Sequence, residues 1–194
     1  MARYYDAEAA VYDETRGGVE RARAAADAIG SLVPAGGRVL DVAGGTGIVS
    51  AELAAQGRDV LVADLSPGML AIAGERLPGR VLVASADRLP VATGSVDLVS
   101  VVWLLHLVPT AVADDVIAEA TRVLGPGGCL VTTVDKNQSH GRAAAESDDA
   151  GRVRAVGEAL GLEPAGSATF SGRSRWGSAG DGDPVFGLLA LRKR

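Results

Sequence analysis

The chain has 194 residues, a net charge of −5 and 47% hydrophobic side chains, enough apolar content for one domain with a substantial core. Its basic residues are scattered apart from Arg192-Lys193-Arg194, read as a solubilising end after a strand, so it is not built to neutralise a nucleic-acid backbone. Its single cysteine, Cys129, allows no intrachain disulfide, and no signal-like N-terminus or membrane-length apolar run is present. The expectation is a soluble, cytoplasmic protein without nucleic-acid or membrane partners.

Residues 1–35 hold Tyr4, Tyr5, Tyr12 and a helical segment near Val19 to Leu32, and no strand. They are expected to form a helical cap on a domain spanning residues 36–194, the whole being one globular unit. Arg38 to Val42 is a short apolar run between glycine pairs and reads as a buried strand. A helix is expected over Ile48 to Gln56, closed by Gly57. Asp59 to Ala63 is a second strand. Pro67 to Leu77 is a helix with Ser66 as N-cap and proline at its first position. Arg80 to Ala84 and Val96 to Val102 follow as strands, then a helix from Thr110 to Leu124 with apolar residues at Val112, Val116, Ile117 and Ala120. Gly128 to Val134 is the fifth strand, with Cys129 a buried structural thiol. The polar stretch 136–151 reads as a loop, Arg152 to Leu160 as a helix, and Leu162–Phe170 and Val185–Leu191 as two further strands around the Gly- and Ser-rich stretch 171–184. This alternation means an α/β fold with a parallel sheet covered on both faces by helices.

Three segments carry the chemistry. In Val39-Leu40-Asp41-Val42-Ala43-Gly44-Gly45-Thr46-Gly47 a strand runs into a glycine-rich turn and a helix opens directly. Such a turn lets backbone approach a ligand and presents free N–H groups; alone, it equally fits a tight turn without ligand. Asp64 ends the second strand, at the spacing of about 20 residues that suits a carboxylate accepting from both ribose hydroxyls. Its other reading is a capping network with Ser66. Ala86-Asp87-Arg88 follows the third strand, where a carboxylate can meet an adenine amino group or form a surface pair with Arg88. The ends of consecutive parallel strands face one crevice, so together the three segments suit a nucleoside.

With those residues in place, the chain resembles the class I S-adenosylmethionine (SAM)-dependent methyltransferases, in the branch similar to ubiquinone- and menaquinone-biosynthesis enzymes. The matching stretches are Val39–Gly47, Val62–Leu70, Ala86–Pro90, Ser95–Val99 and Val123–Gly128. The resemblance implies a three-layer Rossmann-like sandwich whose seven-stranded sheet has the order 3-2-1-4-5-7-6, with strand seven antiparallel. It implies SAM as cofactor and S-adenosylhomocysteine as product. Asp41, Ala43, Gly44, Gly45 and Gly47 would lie beside the methionine moiety; Asp64 would hold the ribose; Met69, Ala86, Asp87 and Arg88 would frame the adenine; backbone at Val102 and Trp103 would approach the methionine amino group; Leu65 would also touch the cofactor. The family often has glycine where this chain has Ala43. Tyr4, Tyr5, Tyr12 and Arg16 would form a cover over SAM, or simply an N-terminal helix packed on the domain.

The implied activity is in-line transfer of a methyl group to a small-molecule acceptor. A sulfonium is already an excellent leaving group, so a base is needed only for an acceptor with a firmly held proton. His106, after the fourth strand, is the candidate catalytic base, or else a packed or solvent-facing histidine. His140 reads as a surface residue. Two histidines and one cysteine give no metal site. A nicotinamide-dependent oxidoreductase shares the doubly wound sheet, but no Lys follows Tyr4, Tyr5 or Tyr12 by four residues as a short-chain dehydrogenase requires. The alternative is a SAM-binding protein of this fold with non-methylating chemistry or a regulatory role.

Overall fold

The computed structural model describes residues 2–137, 145–173 and 183–194; His140 lies outside them. The chain opens with helices α1 (Ala2–Thr15) and α2 (Gly18–Leu32) and continues as β1 (Arg38–Val42), α3 (Ile48–Ala55), β2 (Asp59–Asp64), α4 (Pro67–Arg76), β3 (Val81–Val83) and β4 (Val96–Val101). A single-turn helix, Leu105–Leu107, leads to α5 (Thr110–Val123) and β5 (Leu124–Val134), followed by α6 (Ala150–Ala159), β6 (Leu162–Ser171) and β7 (Val185–Lys193).

The seven strands form one sheet in the order β3-β2-β1-β4-β5-β7-β6. β1 to β5 pair in parallel, whereas β7 runs antiparallel to both β5 and β6. This is the expected sheet. Its parallel strands are apolar on both faces because helices cover both. On one face Ala22, Ala25, Ala26 and Ile29 of α2 join Val49 and Leu53 of α3 over Val39, Val60, Leu98 and Val131. The small side chains of α2 let its backbone approach the sheet closely. On the other face Val116, Ile117 and Ala120 of α5, with Val153 of α6, pack on Leu40, Val99 and Leu130.

Three features differ from the sequence expectation. Residues 2–15 form a helix of their own, parted from α2 at Gly17 and Gly18, both at positive φ (90° and 57°). β5 begins at Leu124 rather than Gly128, because Leu124 pairs with Val96 and Cys129 with Leu98, so the intervening Gly125-Pro126-Gly127-Gly128 loops out as a bulge. The terminal basic cluster is also more than a solubilising end: the Lys193 ammonium donates to the carbonyls of Thr121 and Leu124, each at 2.7 Å, and ties the end of β7 to the end of α5.

β7 carries a fully buried Phe186, whose ring meets Phe170 of β6 at 5.3 Å between centroids and Trp103 at 5.8 Å. Truncating a buried aromatic removes its transfer free energy and leaves a cavity, so Phe186→Ala should lower stability by about 3–5 kcal/mol in urea unfolding; a loss below about 1 kcal/mol would mean that this cluster does not hold the two terminal strands.

Candidate functional site

The C-terminal ends of β1, β2 and β4 and the loop after β3 border one cavity, roofed by α1 and the start of α2. Its floor is the turn that leaves β1. Ala43, Gly45 and Gly47 all take positive φ, 56°, 57° and 70°. The Gly44 N–H donates to the Ala63 carbonyl at 3.2 Å and the Gly47 N–H to the Gly44 carbonyl at 2.9 Å. Gly44 has no room for a side chain, since a Cβ there would stand 2.8 Å from both Asp41 Oδ2 and Val62 Cγ1. Ala43 tolerates the left-handed conformation at a modest steric cost.

Asp41 lies under this turn, buried, and accepts hydrogen bonds from the hydroxyls of Ser50 and Ser100. Burial pushes its carboxyl above the usual carboxylate range, while the two serine bonds pull the other way. Asp64 closes the next strand. Its Oδ2 accepts from the Gly45 N–H at 3.0 Å and its Oδ1 from the Ser66 N–H at 2.8 Å. Burial raises its pKa too, against those backbone bonds. These bonds fix the carboxylate in the cavity wall and use only part of its acceptor capacity. The expected capping network with Ser66 is thus present in the same side chain that faces the cavity.

Of the residues singled out in the sequence, Asp41, Ala43, Gly44, Gly45, Asp64 and Leu65 line the cavity, and so do Met69, Ala86, Val102 and Trp103. Gly47, Asp87, Arg88 and His106 are not in its wall. Gly47 opens α3 and packs where a Cβ would meet that of Ala73 at 3.0 Å. Asp87 is exposed and takes a hydrogen bond from the Ser85 hydroxyl, while the exposed Arg88 donates its N–H to the Ser85 carbonyl at 3.0 Å. His106 is half-buried on the single-turn helix, where Leu104 and Leu107 supply the wall instead.

The N-terminal contribution is larger than the sequence reading supposed. Tyr5, Tyr12, Asp13, Arg16 and Arg21 line the cavity, whereas Tyr4 is 56% exposed. Burial pushes the Tyr5 phenol up to about 12 and raises that of Tyr12, so both stay neutral. Two carboxylates hold α1 down. Asp6 Oδ1 accepts from the Ser66 hydroxyl at 2.6 Å and the Gly68 N–H at 2.9 Å, adding a second cap to α4. Asp13 accepts from the Thr46 hydroxyl at 2.6 Å and pairs with Arg76 at 2.5 Å, and Arg76 donates to the Thr46 carbonyl at 2.7 Å. Asp6 and Asp13 are seven residues apart on one helix. That spacing puts both on one face and was the available signal. Among the described residues no group of His, Cys, Asp and Glu is placed to hold a metal ion, and no helix is long and apolar enough to cross a membrane.

With this geometry in hand, comparison with known proteins is informative. Residues 39–128 match the family described as a methyltransferase domain. The demethylmenaquinone methyltransferase of Beutenbergia cavernae is 47% identical over 110 residues, 56% of this chain and 44% of that protein. The enzyme of the same name from a Parafrankia species is 40% identical over 151 residues, 67% of this chain and 58% of that one. This chain thus spans about half the length of the curated relatives it matches. A solved SAM-dependent methyltransferase of Thermotoga maritima superposes with a TM-score of 0.72 over the full length of both chains at 18% identity, a likeness of fold. Residues 39–128 thus carry the methyltransferase-domain match, and in motifs and strand order the chain is similar to the class I SAM-dependent methyltransferases.

The α1 contacts generate a test. The Ser66 and Gly68 bonds hold the Asp6 carboxyl below its ordinary value. A depressed carboxyl contributes stability above its unfolded pKa and loses it as pH falls through the folded value, so the clamp is fully present at neutral pH. The double variant Asp6→Ala, Asp13→Ala should therefore lose hydrogen-exchange protection across residues 2–15 at pH 7 while the sheet keeps its own; unchanged protection of α1 would refute the clamp.

Proposed function

We propose that the chain is an enzyme that binds SAM in this cavity, transfers its methyl group to a small-molecule acceptor and releases S-adenosylhomocysteine. The observation that carries the reading is the convergence of the Gly44 turn, the Asp64 carboxylate and the Met69 and Ala86 side chains on one cavity at the ends of adjacent parallel strands. The residues present suit the ligand. A turn with room for only a hydrogen at Gly44 gives backbone access, and an anchored carboxylate with unused acceptor capacity suits a ribose diol.

When bound, SAM supplies an activated methyl group and a neutral thioether leaving group. The protein's part is placement. Asp64 accepts from the ribose hydroxyls, and Met69, Leu65 and Ala86 frame the base. Exposed Asp87 and Arg88 reach the adenine edge only from outside the described wall. Backbone around the turn and at Val102 and Trp103 faces the amino-acid end, and Gly47 sets the direction of α3. Leu104 and Leu107 exclude water where the acceptor enters. Held so, SAM would present its methyl carbon in line to an acceptor lone pair, the carbon–sulfur electron pair leaving on sulfur. His106, beside Leu107, is the proposed proton acceptor for acceptors that must lose a proton. We take residues 1–35 as a cap over the domain 36–194, and place the reaction in the cytoplasm with neither nucleic acid nor membrane as partner.

The test is transfer of a radiolabelled methyl group from SAM to a panel of small molecules. Wild-type protein should label an acceptor, and Asp64→Asn should bind S-adenosylhomocysteine about 10–100-fold more weakly, the loss expected when hydrogen bonds to a charged group are removed. Cofactor binding without transfer to any acceptor would leave only the non-methylating alternative.

A further inference from the structure

Among the parallel strands, only the connection from β3 to β4 has no helix. It starts at the sheet edge and crosses two strands, since β2 and β1 stand between β3 and β4. On its way it supplies Ala84 and Ala86 to the cavity wall. Its own regular structure is a single bridge between Ser85 and Arg88. Contacts from elsewhere must hold it in place.

The near end is tied to the sheet, where the Ala84 N–H donates to the Asp64 carbonyl at 3.0 Å. The far end is Leu89, 4% exposed, followed by Pro90. A following proline disfavours helical backbone at Leu89, and buried N–H and C=O groups need partners. Two side chains of α5 provide them. The Leu89 N–H donates to Glu119 Oε1 at 2.7 Å, and Arg122 Nη2 donates to the Leu89 carbonyl at 3.0 Å. Glu119 and Arg122 lie one turn apart, and Arg122 also donates Nε and Nη2 to the two Glu119 oxygens, both at 2.8 Å, which closes a ring around the Leu89 backbone. The third guanidinium nitrogen, Nη1, donates to Thr93 Oγ1 at 3.0 Å. The carbonyls of Arg122 and Val123 accept from the Gly94 and Ser95 N–H groups.

An ion pair of this spacing adds little to a helix by itself. Here every guanidinium nitrogen is used on the connection or on the carboxylate that holds it. The Arg122 bonds keep the Glu119 carboxyl below its ordinary value, so it remains a charged acceptor at neutral pH. Neither side chain lines the cavity.

We propose that Glu119 and Arg122 are positioning residues for the base of the cofactor: by clamping Leu89 they set where Ala84 and Ala86 stand, and so how the site distinguishes adenine from other bases. This rests on the reading of the cavity as a SAM site. Ala86 lies three residues before Leu89, and Asp87 is exposed and bonded to the Ser85 hydroxyl. Small side chains and backbone are left to face the base, and their place is decided by the two ends of the connection.

The test uses the full chain and two ligands that differ only at the base, S-adenosylhomocysteine and S-inosylhomocysteine, titrated calorimetrically, with amide hydrogen exchange at Leu89 measured on the same proteins. Wild-type protein should bind the adenine ligand about tenfold more tightly, the effect of a mismatched polar group in a fixed site. Arg122→Gln and Glu119→Ala should each bind it about fivefold more weakly, bind the inosine ligand within about twofold of wild type, and exchange faster at Leu89 while β4 stays protected. Protection of β4 reports folding, and Glu119→Gln, which keeps the side-chain volume, replaces a variant that does not fold. Unchanged ligand affinities in variants that exchange fast at Leu89 mean a clamp of structural value only, and the proposal fails with the SAM reading intact. Equal weakening of both ligands, slow exchange at Leu89 in both variants, or a wild type without base preference also overturns it. A wild type that binds neither ligand refutes the SAM reading and the proposal together, an outcome told apart from the others because it shows without any variant.

Discussion

The carboxylate of Asp41 and the turn above it share a space that admits no atom at Gly44 beyond hydrogen. That close fit brings the turn against Val62 and Ala63 of β2 and sends α3 off at Gly47. Once the turn is placed, the Gly45 N–H is in reach of Asp64, and Asp64 is fixed at the mouth of the cavity. The rest of the site hangs from that contact. Two neighbouring strands, one with an aspartate just before its last residue and the other ending in one, are locked by backbone bonds into one ligand-facing edge.

The arrangement has an electrostatic cost. Burial raises the carboxyls of both Asp41 and Asp64. A raised folded-state carboxyl binds its proton more tightly than in the unfolded chain, so each opposes stability increasingly as pH rises from the ordinary carboxylate value through the folded one. Serine hydroxyls offset this at Asp41 and backbone N–H groups at Asp64. The same logic extends outward. Asp13 and Arg76 neutralise each other over the turn, and Arg21 lies buried over the Trp103 ring.

Strands and their chemistry were legible in the sequence because apolar runs between glycines report buried parallel strands directly. Asp41 and Asp64 stood out for the same reason: a carboxylate at the end of such a run needs an explanation. Strand order was not written in periodicity; it came through the resemblance, and the antiparallel pairing of β7 agrees with it. Helix α1 was given only as the alternative for Tyr4, Tyr5, Tyr12 and Arg16, without bounds, because its sequence lacks a strong apolar stripe. Asp6 and Asp13 hold it by tertiary hydrogen bonds, which no local pattern announces. Arg21 was hidden in the same way, since an arginine amid alanines on an amphipathic helix reads as surface charge until Trp103 is folded beneath it. Asp87 and His106 show the converse. Their positions in chain order suggested the cavity, yet the side chains that line it there belong to Ala84, Ala86, Leu104 and Leu107.

The central claim is that the cavity is a SAM site rather than a dinucleotide site on a similar sheet. Calorimetric titration of the wild-type chain with S-adenosylhomocysteine and with NADH tests it most directly. The account predicts saturable one-to-one binding of S-adenosylhomocysteine and no comparable heat with NADH. Tighter binding of NADH would contradict it.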